Sequence, residues 1–261
     1  MSHPTGEEAL TILRENYFGA ECHEKELIDR IQPFVNQASA FIDVGASLGP
    51  YTKMAIHNPL IELVVACEPD KLRFDELRHN VEQWSANQKG DAIPVNVAVS
   101  DRQGVAEFFT YGSNTSGSMT SISGRLDDAP KVSVETCTLD ELAATHGFAQ
   151  KSCFIKVDVE GTEYRVLSGA KALLASGLTG WLIELHSWGD PSVGAYPNDV
   201  LKMMRDYGYG FDVIDGHFLF ARSLPTRTLK YFRYQLYFYT KVRLRRLSFM
   251  RAMVSRLRRS R

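Results

Sequence analysis

The period of the apolar positions changes near residue 38. Before it, Leu27, Ile31, Phe34 and Val35 fall at helical spacing, and residues 6–18 and 23–37 read as two helices. After it, short apolar runs alternate with helical stretches, the pattern of a parallel sheet with crossover helices. The runs lie at 40–44, 63–67, 93–99, 153–158 and 181–185, with helices predicted over 71–84, 163–175 and 197–207. Residues 104–138 read as a β-rich insertion around a Gly/Ser/Asn loop at 112–121. Strands at 210–214 and 217–221 flank Asp215-Gly216, a hairpin signal. The expected fold is therefore α/β, doubly wound and mostly parallel, closed by an antiparallel hairpin. The expected division is an N-terminal helical segment (1–38), a main domain (39–222) and a C-terminal tail (223–261).

Charge adds a second feature. Residues 222–261 hold 13 Lys and Arg and no acid, leaving 17 basic and 31 acidic residues in 1–221. The body is thus near −14 and the tail near +13, a split that points to different partners. In the tail, Tyr231, Phe232, Tyr234, Tyr237, Phe238 and Tyr239 form an aromatic cluster. Leu247, Met250, Val254 and Leu257 make a helical stripe that Arg243 and Arg246 interrupt. Aromatic residues beside Lys and Arg suit an anionic membrane surface. Packing on the body or on a partner, and RNA binding, are the competing uses. Cys22, Cys67, Cys137 and Cys153 form no CxxC pair and read as reduced thiols. No secretory signal and no transmembrane run stands out, so the expected place is the cytoplasm, with peripheral attachment to the inner face of the membrane.

Three motifs carry chemistry. The first is Asp43-Val44-Gly45-Ala46-Ser47-Leu48-Gly49, after a strand and opening a helix. Glycine there lets a nucleoside cofactor approach the backbone. The spacing D-x-G-x-x-x-G departs from the G-x-G-x-x-G that seats a pyrophosphate, and so suits S-adenosylmethionine, which has no phosphate. The second is Glu68-Pro69-Asp70, where an acid at the end of the second run can accept from both ribose hydroxyls. The third is Lys156-Val157-Asp158-Val159-Glu160-Gly161-Thr162-Glu163, at the end of the fourth run. Alternation puts Lys156 and Asp158 on one face with Glu160 just beyond, where ligands of open α/β sheets bind.

Together these segments resemble the FkbM-type methyltransferases. The resemblance rests on FIDVGASLGPYT, ACEPD, NVAVSD, GSNTSGSMTS, TLDEL, FIKVDVEGTEYRVLSGA and LIELH, in that order, from about Phe41 to Arg222. It implies a seven-stranded class I methyltransferase (Rossmann-like) fold, S-adenosylmethionine as cofactor, and O-methylation, often of sugars or polyketide-like hydroxyls. By match, Asp43, Gly45, Ala46 and Gly49 look like contacts to the methionine side. Glu68 and Pro69 look like the ribose site, with Asp70 orienting that turn. Ala98, Ser100 and Asp101 look like the edge of the adenine pocket, and Asp158 like the group facing the methionyl amine or the acceptor. Ser47-Leu48-Gly49-Pro50 departs from the family, which often has Asn and an aromatic residue there; Pro50 is compatible with a first helical turn.

An aliphatic hydroxyl acceptor needs a base within hydrogen-bond reach. The candidates are Asp158, Glu160 and His186, of which histidine has the best-placed ordinary pKa. Lys156 could stabilise a developing alkoxide. Asp158, Glu160, Glu184 and His186 could also surround a divalent metal, although the site is assigned here without one. A small-molecule or glycan acceptor is expected. A nucleic-acid methyltransferase is the alternative enzyme, but Asp158-Val159-Glu160-Gly161 replaces the D/N-P-P-Y/F turn of base N-methylation, no cysteine follows a proline, and the acidic body repels phosphates. A non-catalytic membrane-associated scaffold is the other alternative, and the intact Gly45 and Glu68 argue against it.

Overall fold

A computed structural model of the chain describes residues 6–19, 25–109, 131–226 and 229–241. In order, the elements are α1 (Gly6–Phe18), α2 (Lys25–Val35), β1 (Ala40–Val44), α3 (Pro50–Ile56), β2 (Leu63–Cys67), α4 (Lys71–Ser85) and β3 (Asp91–Val95). Then come β4 (Ala98–Val99), β5 (Gly104–Phe109), β6 (Lys131–Cys137), α5 (Leu139–Thr145), β7 (Cys153–Val157), α6 (Glu163–Ser168) and α7 (Lys171–Ser176). The last are β8 (Thr179–Glu184), α8 (Pro197–Asp206), β9 (Gly210–Ile214), β10 (His217–Ala221) and α9 (229–241).

Seven strands form one sheet in the order β3-β2-β1-β7-β8-β10-β9. The first five are parallel, and β10 runs antiparallel to both β8 and β9. The expected fold class is therefore the observed one. Strand order reverses between β1 and β7, so the carboxyl ends of these two strands frame the crevice in which such sheets bind ligands. In the register, Asp43 stands beside Lys156, on one face of neighbouring strands.

The central strands are buried on both faces, which explains their unbroken apolar character. Alternation sends Ile42 and Val44 to a core under α5–α8, and Phe41 to a core under α2–α4. The N-terminal segment joins this second core through Leu27, Ile31 and Val35 of α2.

Two expectations are corrected. The run 93–99 is split: β3 stays on the sheet edge, where Pro94 needs no ladder partner on its nitrogen, while β4 pairs with β6 in a separate three-stranded sheet with β5. The Asn96 amide between them donates to the carbonyls of Glu68 and Pro69 and anchors the turn of the second motif. The helix expected over 163–175 is broken at Gly169-Ala170 into α6 and α7. A Cβ on Gly169 would sit 2.2 Å from the Ser100 carbonyl oxygen, so glycine permits the close approach of these two segments. Asp140 then accepts from the amides of Ala172 and Leu173 at the start of α7.

The aromatic cluster of the tail is also divided. Tyr231 and Phe238 are buried, and the Tyr231 hydroxyl donates to the Tyr209 carbonyl at 2.6 Å. Tyr234 packs on Phe218, 5.2 Å between ring centres. This face of α9 covers the β9–β10 hairpin and is not available to a partner. The loop at 112–121, Cys22 and the stripe from Leu247 to Leu257 lie outside the described residues. No helix among the described residues is long and apolar enough to cross a membrane.

Candidate active site

A cleft of about 710 Å³, open to solvent, lies over the carboxyl ends of β1, β2 and β7. Its floor is the β1–α3 turn. Gly45 has φ 77°, and a Cβ there would stand 1.9 Å from the Asp158 carbonyl oxygen, so this position requires glycine twice over. The amides of Gly45 and Ala46 both donate to the Cys67 carbonyl, tying the turn to the end of β2.

Glu68 faces the cleft and is buried. One carboxylate oxygen accepts from the Ser47 amide and the other from the Asp70 amide, each at 2.9 Å. Burial raises its pKa, against the pull of the Arg73 guanidinium and these two amides. Each oxygen has two lone pairs, so both keep acceptor capacity for ribose hydroxyls. Pro69, Val97, Ala98, Val99 and Phe108 add apolar wall beside it.

Several residues expected to contact the cofactor stand behind the cleft instead. Asp43 is fully buried; one oxygen accepts from the Thr52 hydroxyl at 2.7 Å and the other lies 3.6 Å from the Lys156 amine. Gly49 caps α3 with φ 88° and packs against Leu77 and Trp84. Asp70 caps α4, accepting from the amides of Leu72 and Arg73. The Ser100 hydroxyl donates to Asp101, and Asp101 pairs with Arg165 at 3.6 Å. In each case a short polar side chain near a strand end satisfies local backbone or an ion pair. These residues shape the site without lining it.

Lys156 is almost wholly buried and does line the cleft. Its amine donates to the Gly45 carbonyl at 2.9 Å, lies 3.6 Å from Asp43 and 3.5 Å from Asp158, and sits over the Tyr51 ring. This ammonium braces the glycine turn from the cleft wall. Asp158 joins the cleft to the neighbouring cluster. One of its oxygens faces Lys156, and the other is buried with no hydrogen-bond partner among the described residues.

Beyond Asp158 lies His186, nearly buried, just past β8. Its Nδ1–H donates to Glu163 at 2.6 Å, and Nε2 lies 3.3 Å from Glu160 and 3.6 Å from Glu184. Burial opposes a charge on this ring, but the bond to Glu163 and the charges of Glu163, Glu160 and Asp158 outweigh it and push the pKa up to about 10. His186 is thus an imidazolium at neutral pH with both nitrogens donating. That surrounding favours the protonated ring and weighs against His186 as the base. Asp158, Glu160 and His186 bring ligand-type atoms within 4.8 Å of one another, a spacing that could hold a divalent metal. Glu184 is held well below the usual carboxylate range: burial would raise it, but the hydrogen bond from His217 and the charges of His186 and His217 prevail. Glu160 adopts φ 53°, and its carbonyl accepts from the Trp188 indole, which also covers Gly161.

Tyr17, Arg73 and Phe108 reach the cleft with no motif to mark them, whereas Tyr51, Thr162 and Glu163 fall inside motifs that gave them no role of their own. Glu163 carried the clearest local signal, since it closes the E-G-T-E run. Tyr17 comes from α1, which Leu10 and Leu13 dock on Leu48 and which Arg14 grips through two bonds to Glu76. The Tyr17 phenol hydrogen-bonds Ser47, and burial raises its pKa.

The family model described as the methyltransferase FkbM domain matches residues 43–211. The chain belongs to the FkbM methyltransferase family. The FkbM segment thus runs from the glycine turn to β9 and takes in all the cleft strands. Among curated proteins, the hexuronic acid methyltransferase AglP of Haloferax volcanii is 27% identical over 191 residues, covering 70% of this chain and 68% of its own length. Among solved structures, the methyltransferase FkbM of Methylobacillus flagellatus matches 70% of this chain with a TM-score of 0.46 and 15% identity. The match spans 44% of that protein's length. A putative caffeoyl-CoA O-methyltransferase from Staphylococcus aureus is 12% identical, with a TM-score of 0.38, and covers 81% of this chain and 95% of its own. The chain is a methyltransferase with a seven-stranded, mostly parallel α/β sheet.

Proposed function

We propose that this methyltransferase uses S-adenosylmethionine to methylate a hydroxyl oxygen on a sugar-bearing acceptor. The observation that carries the reading is Asp158, whose buried unpartnered oxygen stands where the cofactor cleft meets the cluster of acids. The cleft fits the cofactor. Gly45 lets the turn pack directly on the Asp158 backbone at the cleft floor, Glu68 has lone pairs for a ribose, and Val97, Val99 and Phe108 offer an apolar slot for a purine. When bound, S-adenosylmethionine supplies an activated methyl group on a positively charged sulfur.

The protein's task is then to hold the acceptor oxygen in line and to remove its proton. His186, Lys156 and Glu184 are less suited as bases: the surroundings of the first favour its protonated form, the second braces the turn, and the third is held below the usual carboxylate range. Asp158 and Glu160 remain, with Glu160 oriented by the His186 imidazolium. Sugar as the acceptor class is supported by the name of the Haloferax volcanii relative. A hexuronic acid offers both hydroxyl and carboxylate oxygens. Asp158 at the cleft, with Glu160 and Glu184 around His186 just beyond it, disfavours a carboxylate as the accepting group and favours a hydroxyl.

Calorimetry with S-adenosylmethionine and S-adenosylhomocysteine tests the cofactor. Glu68→Ala should weaken binding by about tenfold or more, the loss of roughly one good hydrogen bond or two weak ones. Incubation with uronate oligosaccharides and mass spectrometry tests the acceptor. The expected product gains one methyl that resists alkali, as an ether does; an alkali-labile methyl ester would overturn hydroxyl methylation.

A further inference from the structure

The helix α9 has two opposed apolar faces. One, carrying Tyr231 and Phe238, belongs to the core. On the other, Leu229, Phe232 and Leu236 follow one another at helical spacing and are 84%, 64% and 54% exposed. A helix that merely covered a sheet edge would turn polar groups outward here. Arg233 flanks the stripe and is exposed as well. The chain then continues through 242–261, which hold eight Lys and Arg and no acid.

The direction of α9 matters. Tyr231 packs on Phe211, which is level with Phe220 and Trp181 across the hairpin. Phe238, two turns on, packs on Phe218, level with Ile183. The helix therefore climbs toward the edge of the sheet where Glu184 and His186 lie.

We propose that the exposed face of α9 docks on a membrane bearing anionic headgroups, with the Leu229–Phe232–Leu236 stripe entering the interface and the positive charge of the sequence 222–261 favouring such a surface. Charge decides the sign of the partner, since the segment 222–261 has 13 cations against an otherwise acidic chain. The stripe decides its kind. Leu229 and Leu236 bury well among acyl chains, and Phe232 between them suits the boundary between acyl chains and headgroups. The attachment is peripheral, as no described helix can span a bilayer. This inference does not depend on the identity of the acceptor.

The test is co-sedimentation of the full chain with vesicles of phosphatidylcholine alone and of phosphatidylcholine mixed with phosphatidylglycerol, at low and high salt. Binding should require phosphatidylglycerol and fall as salt screens the charges. The double variant Phe232→Glu, Leu236→Glu should bind the mixed vesicles about tenfold more weakly or less, with its helical circular dichroism and its calorimetric cofactor affinity unchanged. Both residues face solvent, so the fold should survive the change. Four results would overturn the proposal: no binding to mixed vesicles, equal binding to neutral ones, wild-type binding by the double variant, or loss of vesicle binding to competing polyuridylate. So would sedimentation showing that the stripe instead pairs two copies of this chain.

Discussion

Replacing Glu163 by Gln keeps the shape of the His186 partner and removes its charge. In the native protein the two groups meet at 2.6 Å, both almost wholly buried. His186 has a pKa near 10 against an ordinary 6.5. A group raised in the folded state adds stability that is fully present below its unfolded pKa and lost as pH rises through the folded value. The His186 contribution is therefore complete below about pH 6.5 and fades toward pH 10. Across that window its loss approaches ~1.4 kcal/mol per pH unit, the slope of one proton. Removing one partner of a buried pair costs about 3–5 kcal/mol when the other stays charged. Glu163→Gln should thus destabilise the protein by a few kcal/mol at pH 6 and by clearly less at pH 9, as read from urea denaturation at each pH. Activity gives a second readout. The variant's kcat/KM should acquire a titration near neutrality as His186 becomes able to lose its proton, a limb absent from the native profile. A destabilisation that does not change with pH would refute the claim that His186 is an imidazolium held by Glu163.

Other outcomes follow from single contacts. Gly45→Ala should abolish cofactor binding and lower stability by more than about 1 kcal/mol in thermal unfolding, because the added Cβ meets the Asp158 backbone and the residue sits at positive φ. Thr52→Val should cost about 1–3 kcal/mol, since it leaves a buried Asp43 oxygen without its donor. Tyr17→Ala should weaken S-adenosylmethionine binding in calorimetry while the urea midpoint moves little, because Tyr17 closes the cleft from α1 rather than from the sheet core. Wild-type affinity in that variant would place the cofactor away from Tyr17.

The sheet was legible because its strands are buried on both faces and so appear as bare apolar runs, each cut off by Gly or by an acid. The backbone-defined half of the site was legible for the same reason: Gly45, Ala46, Glu68 and Ala98 sit at strand ends whose position the runs fix. What failed was the step from position to orientation. Asp43, Ser100 and Asp101 lie at the right strand ends, yet their side chains turn to Thr52, Asp101 and Arg165 respectively. Such choices depend on a partner many residues away, which no local pattern encodes. Arg73 and Tyr17 were missed on the same ground, since each reaches the cleft from a helix that reads as ordinary amphipathic surface.

His186 shows most sharply what spacing leaves out. A histidine after a strand, beside Asp158 and Glu160, reads as a base because its ordinary pKa lies near neutrality. Its state is set instead by Glu163, at the start of a different element, which reaches back across the Gly161 turn. The Glu163 oxygen accepts both the Gly161 amide and the His186 ring nitrogen, so one carboxylate fixes the turn and the proton together. The strained conformations of Glu160 and Gly161, covered by Trp188, then bring Glu160 against the other ring nitrogen. The protonated histidine thus acts as a counter-charge that lets several acids share one small volume. Without that cation, the carboxylates of Glu160 and Glu163, one at each ring nitrogen, would lack their shared partner. In the proposed reaction, proton removal falls to Asp158 or Glu160, and the glycine turn that seats Glu160 is part of the chemistry rather than a connection between elements.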